Sequence, residues 1–151
     1  MTYQHRYQQA HERNFKERTP KAYADGHYFS PKIPDVRKAN GLTLFICNFL
    51  NWMGHRATRI NTSGRLIDAT QKQPSGTVLT VKKWIKGTTR RGTADISATI
   101  NGRSVMIEIK VGNDKPSEYQ LEEQAKERKA KGVYEFIHNP DEFFKLYDSL
   151  S

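Results

Sequence analysis

One cysteine, Cys47, stands in a chain of 151 residues. That excludes a disulfide within the chain and any zinc site built on several thiolates. No apolar run approaches the roughly 18 residues that mark a membrane span. The opening residues, MTYQHRYQQAHER, are too polar for a signal peptide. The expectation is therefore a cytoplasmic protein. No GxxxxGK(S/T) phosphate loop, HExxH helix or G-x-S-x-G elbow occurs, so the chemistries those motifs carry are set aside. The histidines (His5, His11, His27, His55 and His138) are scattered without metal-ligand spacing and read as surface or core residues.

Acidic residues are scarce in one region. The net charge is +9, but residues 41–91 hold nine Lys or Arg and only one acid, Asp68. Residues 92–151 are net acidic, by three charges. A block this lopsided points to a polyanionic partner, nucleic acid first and an anionic membrane second.

What is present reads as one domain with an arm. Residues 1–38 are polar and broken by Pro20, Pro31 and Pro34. They predict a basic N-terminal arm, partly disordered, with a short helix near Gln8–Lys16. Residues 39–53, ANGLTLFICNFLNWM, predict a largely buried helix, with Leu44, Phe45, Cys47, Phe49, Leu50 and Met53 as its apolar members and Gly54 as its stop. Strand-like runs follow at RATRIN, SGRLIDAT and TVLTVKKWIK, with a loop at Gln71–Gly76 and a basic loop at Gly87–Gly92. Lys115–Lys131 predicts a charged helix, with Pro116 in its first turn and Leu121 and Ala125 as its contact positions. Gly132 ends it. VYEFIH reads as a strand, and Asn139–Pro140 opens a last helix carrying Phe143, Phe144 and Tyr147. The expected fold class is α/β (α+β), a mixed central sheet flanked by helices. The last strand should run parallel to a hairpin strand.

The stretch 91–114, RGTADISATINGRSVMIEIKVGND, holds the candidate chemistry. Asn101-Gly102 between two alternating runs is a strong hairpin signal, because a type I′ turn needs positive φ at both central residues. In that register, paired residue numbers sum to 203, and Asp95 faces Glu108. Ile96, Ala98, Ile100, Val105, Ile107 and Ile109 then share a core face. Ser97, Thr99, Ser104 and Met106 share the other face with Asp95, Glu108 and Lys110. Like charges placed opposite one another are destabilising, so the pair suggests a cation between them. An ordinary half-exposed hairpin with charges in water is the plain alternative. Two carboxylates beside a lysine suit metal-assisted hydrolysis, and hard oxygen ligands select Mg²⁺ or Mn²⁺. Arg90 and Arg91, just upstream, could hold a phosphate there. Ser117 and Gln120 also have the spacing of a helix capping box.

Asp95 followed by Glu108-Ile109-Lys110 resembles the D…ExK signature of the PD-(D/E)xK nuclease superfamily. With Gly92-Thr93-Ala94-Asp95-Ile96 before it and Ser117-x-x-Gln120 after it, the pattern resembles more closely a VRR-NUC domain. The likeness covers about residues 40–138. It implies a restriction-endonuclease-like fold for residues 39–151 and a divalent-metal-dependent DNA endonuclease, acting on duplex, flap or Holliday junction. It further implies that Asp95 and Glu108 hold Mg²⁺ or Mn²⁺ with the Ile109 carbonyl, that Lys110 is the catalytic lysine, and that Gln120 is the fourth signature residue. Resolvase-like and phage relatives imply a homodimer, in the cytoplasm of a bacterium or of a phage-infected host cell. Arg56, Arg59, Arg65, Lys82, Lys83, Arg90, Arg91 and Lys115 would form the DNA-binding surface. The chain departs from the pattern twice. Ala94 stands where the family has proline, and residues 39–53 carry no acid where the superfamily places a glutamate, the region instead offering Asn40, Thr43 and Asn48. Two other readings stand beside the enzyme: a nuclease-fold DNA-binding protein with weakened catalysis, and an RNA-binding adaptor.

Overall fold

A computed structural model of the chain describes residues 1–60, 65–85 and 91–151, with 65–67 and 84–85 described as backbone alone. Its elements are α1 (Tyr3–Arg18), α2 (Pro20–Ala24), α3 (Ala39–Trp52), β1 (Arg56–Arg59), β2 (Arg65–Lys72), β3 (Val78–Ile85), β4 (Ile96–Ile100), β5 (Arg103–Ile109), α4 (Glu118–Lys129), β6 (Val133–Ile137) and α5 (Pro140–Ser149). The architecture is mixed α+β, as the sequence predicts. Four strands form one mixed sheet in the order β1-β4-β5-β6, and β2 and β3 pair in a separate two-stranded sheet. β6 runs parallel to β5 and the other pairs are antiparallel. Among the described residues no helix is long and apolar enough to cross a membrane.

The central hairpin takes the expected register. Ile96 pairs with Ile107, Ala98 with Val105 and Ile100 with Arg103. Asn101 and Gly102 adopt φ of +48° and +79°, as a type I′ turn demands. Asn101 also donates from Nδ2 to the Leu150 carbonyl at 2.9 Å, which ties the turn to the end of α5. Ile96, Ala98, Ile100, Val105, Ile107 and Ile109 are all buried, and they meet α3 and α5 in one core with Phe45, Phe49, Phe143 and Phe144. The opposite face of the sheet is polar, and α4 lies over part of it.

Three expectations need correction. Residues 1–38 are not a loose arm in their first half. α1 spans Tyr3–Arg18 behind a Thr2 cap, and Tyr7 and Ala10 are buried in the core. The Tyr7 ring stacks on Phe45 with centroids 4.5 Å apart, and its hydroxyl accepts from Asn48 Nδ2 at 3.1 Å. Burial of such a ring contributes roughly 1.5–3 kcal/mol. Pro20 breaks nothing, because it opens α2, where a proline lacks only an unneeded donor.

The second correction concerns α4. It begins at Glu118, so Pro116 precedes the Ser117 cap instead of entering the first turn. Its expected contact positions also face the wrong way: Leu121 is 49% exposed and Ala125 is exposed. The half-buried side carries Gln120, Glu123, Gln124 and Glu127, and Gln120, Gln124 and Glu127 find hydrogen-bond partners on β5 and β6. Gln124 Nε2 donates to the Tyr134 carbonyl at 2.9 Å, and Ser104 Oγ donates to Glu127 Oε1 at 3.1 Å. The left-handed residue that closes α4 is Lys131, at φ +65°, one position before Gly132. The third correction is smaller. Leu44, placed among the buried residues of α3, is 52% exposed.

Candidate metal and catalytic centre

Asp95 stands just ahead of β4 and is held through both its groups. Its backbone carbonyl accepts from the Ile60 amide at 2.7 Å, and its carboxylate oxygen Oδ2 accepts from the Ile109 amide at 3.0 Å. One strand away, Glu108 is 6% exposed and Lys110 is 5% exposed. The Lys110 backbone amide donates to the Ile137 carbonyl at 3.0 Å, which fixes the root of its side chain on β6. Lys110 Nζ then lies 3.2 Å from Glu108 Oε1 and 3.3 Å from Asp114 Oδ2.

Gln120 arrives from α4 and uses both ends of its amide. Its Oε1 accepts from the Ser117 amide at 2.9 Å, completing the capping box, while its Nε2 donates to Glu108 Oε1. The cap and the contact to the site are therefore one feature. Gly92 brings the loop before Asp95 onto the same helix turn. At φ +81°, any β-carbon there would collide with the Tyr119 carbonyl. The Tyr134 hydroxyl donates to the Gly92 carbonyl at 3.0 Å and holds that approach from below. Burial raises the Tyr134 hydroxyl pKa, with the nearby carboxylates adding to the effect.

Glu108 is the electrostatic centre. Burial pushes its carboxyl up to about 7, Asp95 pushes the same way, and Lys110 opposes both. Oε1 is shared between Gln120 and Lys110, but Oε2 is buried with no hydrogen-bond partner. A buried acceptor left unpaired is costly. An orphaned carboxylate oxygen beside a second carboxylate fits a hard divalent cation. The protein donor set is small, since no group of three or more His, Cys, Asp or Glu converges among the described residues. Two carboxylates suit Mg²⁺, which keeps several waters and takes further oxygens from a bound phosphate.

The polar residues of α3 do not supply a further ligand. Asn40 Oδ1 accepts from Arg59 Nη2 at 2.6 Å, Thr43 Oγ1 donates to the Ala39 carbonyl, and Asn48 is committed to Tyr7. Asn51 brackets Ala57 with two hydrogen bonds and so fastens edge strand β1 to α3.

The structure thus brings Asp95, Glu108, Lys110 and Gln120 together. The basic residues are more dispersed. Arg56 pairs with Thr99 across β1 and β4, which puts it on the same sheet face as Asp95. It lines a shallow pocket of about 230 Å³ with Thr58, Ser97 and Thr99. Arg91 reaches α4, with Nη1 donating to the Tyr119 hydroxyl at 3.1 Å. Lys115 is exposed in the loop before α4. Arg59 turns to Asn40, and Lys82 and Lys83 are exposed on β3. Arg90 and most of the Gly87–Gly92 loop lie outside the described residues, as does the side chain of Arg65.

Sequence reasoning missed Asp114 and Tyr134. Asp114 shares the Lys110 ammonium with Glu108, and its position four residues beyond Lys110 was the available signal. Tyr134 pairs with Met106 between β5 and β6, so the parallel register alone would have placed it on the polar face. Compared with known proteins, the chain matches no family model, no curated protein and no solved structure.

Proposed function

We propose that the protein is a divalent-metal-dependent DNA endonuclease of the VRR-NUC type. The observation that carries this reading is Glu108 Oε2, buried without a partner on a carboxylate that feels the charge of Asp95 and whose other oxygen meets Lys110. In this reading Asp95 and Glu108 hold Mg²⁺ or Mn²⁺, with the Ile109 carbonyl as a further ligand. The bound ion supplies a water of lowered pKa and offsets charge on the scissile phosphate. Asp95 stays oriented by the Ile109 amide, and Gln120 keeps the Glu108 carboxylate turned into the site. Lys110, whose ammonium lies 3.2 Å from Glu108 Oε1, would orient the attacking water or stabilise the developing negative charge. Arg56, on the same face, and Lys115, before α4, receive the flanking phosphates. The homodimer rests on the VRR-NUC likeness, and sedimentation tests it.

The test is cleavage of labelled duplex, single strand, flap and four-way junction with Mg²⁺, Mn²⁺ or EDTA, beside Glu108→Gln. Metal-dependent cutting that disappears in the variant supports the enzyme. The best substrate then defines its structure preference. A second reading, DNA binding without hydrolysis, is favoured by one observation: Asn40, Thr43 and Asn48 are all engaged in packing bonds away from the carboxylates. Binding of these DNAs without any cutting would select it. Preference for RNA over matched DNA would exclude both.

A further inference from the structure

The hairpin β2–β3 is eight residue pairs long and stands apart from the domain. Among the described residues it contacts no other helix or strand. From Asp68 to Lys83 every residue is exposed except Ala69 and Val81, which pair with each other across the ladder. Val78 and Leu79 are 51% and 43% exposed. A lone two-stranded hairpin is marginal in water, so this one contributes little to holding the domain together.

Its charge says what it meets. Residues 65–85 hold Arg65, Lys72, Lys82 and Lys83 against Asp68 alone. Asp68 stands opposite Lys82 in the register, whereas Lys72 and Lys83 stand opposite Val78 and Ile67. Lys82 and Lys83 are neighbours in one strand, so they project from opposite faces of the ribbon. A flat anionic surface would engage one such face. A groove walled by two phosphate backbones engages both. The ribbon is roughly 26 Å long, at about 3.3 Å per residue. The major groove of B-DNA, about 12 Å wide, admits a two-stranded β-ribbon. Between the cations lie Thr70, Gln71 and Thr80, and Gln73 follows in the turn; these are small or amide side chains able to hydrogen-bond base edges.

We propose that β2–β3 is a DNA-reading arm that lies in the major groove of duplex substrate and makes the protein prefer duplex to single-stranded DNA. This deepens the nuclease reading and rests on it for the identity of the substrate. It accounts for an element that the sheet, the core and the carboxylate centre do not need.

The test measures fluorescence anisotropy in EDTA, with a labelled 30-base-pair duplex and a single strand of equal length. Full-length protein is compared with the Lys72→Ala, Lys82→Ala, Lys83→Ala triple variant. The variant should bind duplex about tenfold more weakly, with a salt slope shallower by about 2 to 3, and bind single strand nearly as before. Duplex carrying glucosylated hydroxymethylcytosine, which fills the major groove, should bind the unmodified protein no better than plain duplex binds the variant. The melting temperature should not move, because among the described residues the arm packs on no other helix or strand.

Unchanged duplex affinity overturns the proposal, and so does an equal loss on single strand. A lowered melting temperature shows a packed element, and loss of a sedimenting dimer in a Val78→Ser, Leu79→Ser variant shows an interface between copies; either also overturns it. Mg²⁺-dependent cutting is read separately with Glu108→Gln. Arm-dependent duplex binding without any cutting keeps the arm and removes the nuclease. Glu108-dependent cutting that ignores the arm does the reverse.

Discussion

The hairpin β4–β5 turns on Asn101-Gly102 and buries one whole face, whereas β2–β3 turns through Gln73–Thr77 and stays open on both. The two share antiparallel pairing and β-forming residues. They differ in what alternates. In β4–β5 every second residue is Ile, Val or Ala, so one face can be covered by α3 and α5 while the other carries charge. In β2–β3 lysines fall on both faces, and neither can be covered cheaply. Burial then decides chemistry as well as stability. Glu108 sits where water is scarce, so its charge is costly and a cation is welcome. Lys82 and Lys83 sit where water screens them, and they act only on a partner that brings its own charge.

The sharpest way to break this contrast is at the charged face itself. Lys110→Ala should bind metal and DNA but lose cleavage by at least about a hundredfold, measured as single-turnover rate on the best-cut substrate. Wild-type cutting by that variant would leave Lys110 with a structural role only. The same contrast should appear in stability. Ile107→Ala removes buried atoms from the inner hairpin and should cost about 2–5 kcal/mol. Val78→Ala on the outer hairpin should stay within about 0.5 kcal/mol, both read by urea denaturation.

The pH response follows from Glu108. Its carboxyl is held near 7 in the metal-free protein, above its ordinary value near 4.5. The folded state therefore binds an extra proton between those values, and stability should fall as pH rises through that window. Asp35, Glu142 and Asp148 are held low by their partners and titrate below it. Burial holds His11 and His55 low, which adds stability as pH rises, so the Glu108 effect is read as a difference: from pH 5 to 8 in EDTA the melting temperature of the native chain should fall relative to that of Glu108→Gln. A native profile parallel to the variant's would place Glu108 in water. A modest effect belongs to Gln120→Ala, which should lower stability by about 1 kcal/mol through the lost capping box. It should also slow cleavage by loosening Glu108. A variant that melts lower but cuts normally would reduce Gln120 to its capping role.

Much of the centre was legible because its hairpin obeys strict local rules. The Asn-Gly turn set the register, the period of two set the faces, and Asp95, Glu108 and Lys110 followed. Gln120 was legible twice, as cap and as neighbour of the carboxylates, and it both completes the capping box and donates to Glu108. α1 was harder to read because its buried residues are Tyr7 and Ala10, one carrying a hydroxyl and the other small, in a helix otherwise polar. The spacing of Tyr3, Tyr7 and Ala10, with Thr2 as cap, was the signal. α4 was misread for the opposite reason. It turns inward glutamines and a glutamate that hydrogen-bond to β5 and β6, so the usual rule about apolar stripes points away from its contacts.

Arg6 of α1 grips both oxygens of Asp148 in α5 at 2.9 and 2.6 Å, with its guanidinium 3.9 Å over the Phe144 ring. Residues 142 apart in sequence are thereby clasped, and Met1 and Tyr147 line a common pocket. The two ends of this polypeptide are neighbours. A short linker joining them, with new ends cut at Ser75-Gly76 in the outer turn, should give a circular permutant that keeps the same core and the same carboxylate centre.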